Sequence, residues 1–414
     1  MIETFIKMYE EGNITEAVVE QMLHFVFAAE DDEIFMIAQI FAAIGHAHRS
    51  VELVEALLDK HPEDVSLKTF LADVYLDLAE DEKALELLAS IEDKSEAKIF
   101  MIEAELYLAQ GLFEIAEAKL KKALALEPEN ELIRLAYAEF FHHIGDFEEA
   151  LPHYLDLSEC GMAAGVNVYE RLATCYLHTG DFEEAWEQLT LSEKYFGTLS
   201  NDQLFNKAFL ADQLARRQQA LHLLQDIKKS DPSYERIYPL LAKIYYSEGD
   251  FEKGLYEVET GIKYNEYNSE LHYLKGTILE AKKDLEGARD AYYEALNLDP
   301  DDLKSALRSN LICLQLEDYE EVIHNVAHYE ESGLFDERFN WDLAVAHAEL
   351  GEYEAALTHF QVADEHFRQD VVFLFDYATF LMEDGKRDLA QQKLETILEM
   401  DPSVIEAQEI LATF

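Results

Sequence analysis

Small and apolar residues recur along this chain in fixed columns about a turn. The turn returns at positions 12, 45, 79, 111, 145, 180, 215, 249, 283, 317, 351 and 385, so each step is 32 to 35 residues. Seven residues before it stand Ala38, Ala72, Ala104, Ala138, Ala173, Ala208, Ala242, Gly276, Ala344 and Ala378, with Phe5 and Asn310 departing. Five residues after it stand Ala17, Ala84, Ala116, Ala150, Ala185, Ala220, Gly254, Ala288, Ala356 and Ala390, with Ser50 and Val322 departing. Four residues before it, Phe41, Tyr75, Tyr107, Phe141, Tyr176 and Tyr245 supply packing volume. Apolar positions spaced three to four apart belong to helix faces, not strands. The pattern therefore predicts one helix before each turn and another after it. The small columns mark where two axes approach to the low end of the roughly 8–10 Å packing range.

The turn is written in full as Gly145-Asp146-Phe147-Glu148-Glu149-Ala150. There Asp146 can cap the next helix while Glu149 reaches back, as in a capping box. Pro62, Pro128, Pro232, Pro300 and Pro402 close five repeats, because proline cannot continue a helix.

Period and anchors together resemble the tetratricopeptide repeat (TPR), a helix, a turn and a second helix with small residues at the contact. The resemblance implies an all-α, right-handed superhelical solenoid of antiparallel helix pairs. About twelve repeats would occupy residues 1–402 as one continuous array, followed by a C-terminal capping helix over 403–414. Ser403-Val404-Ile405-Glu406 reads as the capping box of that last helix. One-residue insertions around Cys160 to Val168 and Gly197 to Gln203 mark the expected bends.

Charge narrows the partners. Against 33 basic residues stand 86 acidic ones, a net charge of -53. Such a field repels polyanions, which excludes nucleic acid and anionic membrane surfaces. The greasiest run, Ile34 to Ile44, falls well short of the roughly 20 residues needed to span a bilayer, so no membrane insertion is expected. The N-terminus lacks a basic n-region and a cleavage site, and a cytoplasmic location is the expectation. Cys160, Cys175 and Cys313 form no Cys-x-x-Cys pair and read as free thiols. No phosphate-binding, nucleophile-elbow or zinc-protease motif occurs, so neither enzymatic activity nor a cofactor or metal is expected. Glu139, His142, His143 and His178 form the single titratable cluster the repeat register brings together.

In TPR proteins the first helices line a concave groove. Counted from each repeat's start, the fifth and sixth positions give Phe35 and Met36, then Thr69 and Phe70, then Met101 and Ile102, then Leu135 and Ala136, an apolar wall in repeats two to five. Beside it the ninth position carries Gln39, Asp73, Glu105 and Glu139, an acidic ladder. Apolar wall and ladder together are complementary to a basic amphipathic segment. A second groove site of opposite polarity is expected in repeats eight to twelve. It comprises Arg236, Lys243, Lys304, Arg308 and Arg338 with the aromatic platforms Tyr273, Trp341 and Phe375. Lys304 and Arg308 match two positions of the carboxylate clamp in TPR chaperone adaptors, but Leu274 and Thr277 replace its asparagines.

The expected function is a non-enzymatic scaffold or adaptor that binds a protein or peptide in its groove, with self-association through the N-terminal repeats as a further expectation. The alternatives are a sensor that changes conformation on binding a short signalling peptide, and a non-catalytic subunit of an enzyme complex.

Overall fold

The computed structural model describes residues 2–10, 14–158 and 161–414. It is an all-α repeat fold in two compact units, Met1–Leu199 and Ser200–Phe414. The first holds α1 (Ile2–Glu10), α2 (Glu16–Val26), α3 (Asp31–Ala43), α4 (Ala47–Lys60), α5 (Val65–Asp77), α6 (Asp81–Ala89), α7 (Ala97–Ala109), α8 (Phe113–Leu126), α9 (Glu131–His143), α10 (Phe147–Asp156), α11 (Val168–Thr179) and α12 (Phe182–Phe196). The second holds α13 (Asn201–Gln213), α14 (Arg217–Ser230), α15 (Ile237–Ser247), α16 (Phe251–Tyr264), α17 (Ser269–Ala281), α18 (Leu285–Leu298), α19 (Leu303–Gln315), α20 (Tyr319–Glu331), α21 (Arg338–Glu349), α22 (Tyr353–Phe367), α23 (Val371–Glu383), α24 (Arg387–Met400) and α25 (Ile405–Leu411). The boundary falls inside the insertion at Gly197 to Gln203, where Ser200 and Gln203 form a capping box that starts α13.

Backbone geometry identifies the repeat. From 45 to 385, every turn position has a positive φ, between 56° and 87°, while Gly12 lies outside the described residues. Seven of these positions are glycine, which adopts that region freely. Ala79, Ala215, Lys283 and Glu317 adopt it too, at a cost of roughly 1–2 kcal/mol each. The packing of the flanking helices therefore imposes the turn even where the residue resists it.

The small columns are buried, with Ala38, Ala72, Ala138, Ala150 and Ala344 wholly shut off from solvent. Where Ser50 replaces alanine, its hydroxyl donates to the Ala38 carbonyl at 2.8 Å, so the buried polar group is satisfied. At Gly276 even a methyl group has no room, since an added Cβ would stand 2.6 Å from a ring carbon of Tyr292. Helices α4, α8, α14, α18 and α24 each end two residues before a proline. Asp146 accepts from the backbone N–H of Glu149 at 3.2 Å, capping α10.

One local reading needs correction, and one insertion takes a form that the spacing did not show. Ser403 caps nothing, because α25 begins at Ile405 and the Ser403 hydroxyl donates instead to Asp401 at 2.6 Å. The insertion before α11 is a small hairpin, in which β1 (Met162–Ala163) pairs antiparallel with β2 (Val166–Asn167). Ala164 and Gly165 make its two-residue turn with φ of 45° and 87°. The Ala164 N–H donates to Glu131 at 3.0 Å, fastening the hairpin to α9. Among the described residues, no helix is long and apolar enough to cross a membrane.

Candidate functional site

A cleft of about 680 Å³ opens between α7 and α9, which both pack against α8. The α7 wall is Lys98, Met101, Glu105 and Leu108, successive positions on one helical face. The α9 wall is Leu132, Ala136, Phe140 and His143, with Glu139 beside them, and Asp73 enters from α5. Asn130 accepts from the Leu132 N–H at 3.0 Å and so fixes the start of the α9 wall.

Two carboxylates of α7 show how this face differs from the helix's back. Glu103 is buried between Lys94 and Lys119, each 2.5 Å away. Burial raises its pKa, but the two lysines outweigh that and hold it below the usual carboxylate range. Glu105, two residues on, has no ion pair among the described residues. Although its side chain reaches solvent, loss of water around the carboxyl raises its pKa, and Asp73 and Asp77 add to the rise.

Of the residues expected as a binding site, Asp73, Met101, Ile102, Glu105 and Glu139 line this cleft. Phe35, Met36, Phe70 and Leu135 do not. Phe35 and Phe70 form an edge-to-face pair at 5.3 Å, half-buried against the N-terminal core. Leu135 is buried in the hydrophobic core without lining the cleft, and Ile102 is buried as well. Met36 is exposed. The wall is thus partly interior packing, because neighbouring residues on a helix face different sides.

The acidic ladder is also broken by pairing. Lys98 holds Asp73 at 2.7 Å. Arg171 of α11 grips both oxygens of Glu139, at 2.8 and 3.1 Å, and the Tyr154 hydroxyl donates to the same carboxylate at 2.7 Å. Only Glu105 of the three is left without a cation among the described residues.

The face expected in the second unit is not an open basic cleft, for the same reason. Arg236 pairs with Asp202 at 3.1 Å and lies over Phe205, Lys243 pairs with Glu270 at 2.5 Å, and Arg308 with Glu280 at 3.4 Å. Arg338 pairs with Asp342 at 2.8 Å and stacks 3.5 Å over Trp341. Trp341 is buried, and its indole N–H donates to Asp376 at 2.9 Å, so it presents no platform. Tyr273 is half-buried against Tyr292, and Phe375 is half-buried against the C-terminal core. Lys304 is exposed without an ion pair among the described residues.

Below that face lies a polar interior. Asp342 is buried, and burial pushes its carboxyl up to about 6 despite Arg338. Asn310, wholly buried in the alanine column, has neither amide atom in a well-formed hydrogen bond, although it lies close enough to Asp342 to favour the ionised carboxylate.

The histidine cluster stays together, since Glu139, His143 and His178 all act on the charge of His142, but its members are engaged elsewhere. Glu139 is committed to Arg171 and Tyr154, while the His178 ring stacks on Phe147 at 4.0 Å. His142 is pushed down, first by burial and then by Arg171. Among the described residues, no group of three His, Cys, Asp or Glu could hold a metal ion. Burial raises the Cys175 thiol to about 11 and raises Cys313 as well, while Cys160 lies outside the described residues.

Lys98, Leu108, Leu132, Phe140 and Arg171 were missed by the sequence reading. A signal for the two cations existed. Lys98 holds the second repeat position that carries Arg236 and Arg338 further on, and Arg171 continues the sixth-position column one repeat past Ala136.

Family models match over four stretches: "YpiA-like, C-terminal tetratricopeptide repeats" at 338–403, "YpiA-like, tetratricopeptide repeats" at 109–162, a tetratricopeptide repeat-like domain at 192–321 and a tetratricopeptide repeat at 35–97. The chain is 32% identical over 422 residues to TPR repeat-containing protein YpiA of Bacillus subtilis (strain 168), covering 99% of this chain and 97% of that one. It is 25% identical over 187 residues to anaphase-promoting complex subunit 7 of Mus musculus, across 44% of this chain and 32% of that protein. Among solved structures, the APC/C hetero-tetramer Cut9-Hcn1 is similar with a TM-score of 0.41 and 12% identity, covering 96% of this chain and 94% of that one.

Proposed function

Because the chain belongs to the YpiA-like family of tetratricopeptide-repeat proteins, we propose that it is a non-enzymatic interaction scaffold whose partner segment docks between α7 and α9. The segment is amphipathic and basic. The observation that carries this reading is the cleft itself, in which Met101, Leu108, Leu132 and Ala136 offer apolar surface and Glu105 offers a carboxylate without a cation. A site of this size suits a few side chains of a bound peptide.

A chain of net charge -53 attracts any basic peptide at low salt, so the test must separate the cleft from the general field. Ala136→Trp fills the cleft and changes no charge. A fluorescent helical peptide of alanines and leucines that carries one lysine is expected to bind the wild-type protein at physiological salt and to lose at least about tenfold in affinity to Ala136→Trp, with helicity unchanged by circular dichroism. Equal binding to both proteins refutes the site.

A further inference from the structure

We propose that the cleft recognises one lysine or arginine set beside aliphatic side chains, with Glu105 accepting the cation, and that it rejects runs of basic residues. The inference rests on the reading of the cleft as the partner site and specifies what that site selects.

Four carboxylates border the cleft, and three have partners within the protein. Asp73 is held by Lys98, Glu139 by Arg171 and Tyr154, and Glu127 accepts from the Asn130 side-chain amide at 2.7 Å. Glu105 alone among them has neither an ion pair nor a hydrogen bond among the described residues. Asp73 and Asp77 lie near enough to oppose its ionisation. A cation arriving at Glu105 relieves that repulsion. Its own desolvation is limited, because Glu105 still reaches solvent.

The rejection comes from the groups that broke the ladder. Lys98 stands at one edge of the cleft, and Arg171 reaches Glu139 at the other. A second or third basic residue in a run would find Asp73 and Glu139 already paired and would gain a carboxylate only by displacing Lys98 or Arg171, which leaves one of those cations uncompensated. Between them, Met101, Leu108, Leu132 and Ala136 leave apolar surface open, while Phe140 is buried behind them. The chemistry that fits is one ammonium or guanidinium and one or two aliphatic neighbours.

Random dodecapeptides displayed on phage provide the probe, selected in parallel against the full-length protein and its Glu105→Gln variant. The exposed position of Glu105 makes that substitution compatible with folding. Wild type is expected to enrich peptides with a single Lys or Arg next to Leu, Ile, Val or Met. The Glu105→Gln protein should keep the apolar preference and lose the basic one. For the tightest synthetic peptide, replacing its basic residue by norleucine should weaken binding to wild type about tenfold and leave binding to Glu105→Gln unchanged, the coupling a double-mutant cycle isolates. Equal losses in both proteins, or enriched peptides that carry basic runs or no basic residue, overturn the single-cation inference. The cleft survives that result if Ala136→Trp still blocks the peptides. Enrichment indifferent to Ala136→Trp, or no enrichment by wild type, overturns the inference and the site together.

Discussion

Repeats four and five in the first unit and repeats eleven and twelve in the second use the same helical columns and reach opposite outcomes. Between α7 and α9, side chains leave a cleft with one carboxylate to spare. Along α21 and α23 the corresponding cation and aromatic satisfy one another: Arg338 covers Trp341 and pairs with Asp342, and Trp341 donates to Asp376. A repeat column offers candidates for binding. Whether each is available depends on partners one repeat away, which the column does not contain.

The two faces should therefore respond differently when a cation is removed. Arg338→Ala leaves the buried Asp342 without its counter-ion and should cost about 3–5 kcal/mol at pH 7 in urea unfolding of the second unit. The matching change in the first unit, Arg171→Ala, involves a pair about one-third exposed and should cost about 1 kcal/mol. Equal costs would erase the distinction between a buried polar interior and a solvated cleft edge.

The pH dependence sharpens it further. Asp342 titrates near 3.8 when unperturbed and at about 6 in the folded protein, so the native state holds a proton that the unfolded chain has released. Its contribution is unfavourable, absent below about pH 4, growing as pH rises through 6 and complete above it. Asp342→Asn should flatten that slope and stabilise the second unit by about 2–3 kcal/mol at pH 7, with little change near pH 4. An unchanged slope would mean that Asp342 is not the titrating group.

The smallest effect concerns the turn of repeat ten, where Glu317 sits at φ 60°. Glu317→Gly should raise stability by about 0.5–1 kcal/mol, since glycine removes the left-handed penalty but adds unfolded-state entropy. The same measurement at Gly145→Ala should show a loss, because that turn is already relaxed.

These contrasts also mark what the sequence made legible. Spacing alone placed the turns at Lys283 and Glu317, where no residue type suggests one, because the columns on either side carry the period. It also placed Asp73, Met101, Glu105 and Glu139 on one surface. Spacing did not reveal that Lys98 and Arg171 would take two of those acids, since such pairs depend on how long side chains bend across repeats. Asn310 was legible as an exception to the alanine column, but its proximity to Asp342 was not. The hairpin at Met162–Asn167 was hidden because two-residue strands are too short to show a period.

The fit of Tyr292 against Gly276 also constrains how this chain can change over generations. The ring occupies the space in which every alanine of that column keeps its methyl group. A mutation that places alanine at position 276 meets the ring before anything else has changed, and one that shrinks Tyr292 first leaves a void and abandons its 2.8 Å bond to Glu280. Neither order is neutral. The two sites are expected to persist together or be exchanged together, so that a descendant with alanine in place of Gly276 should carry a smaller residue in place of Tyr292, and the path between the two pairs passes through a less stable protein whichever step comes first.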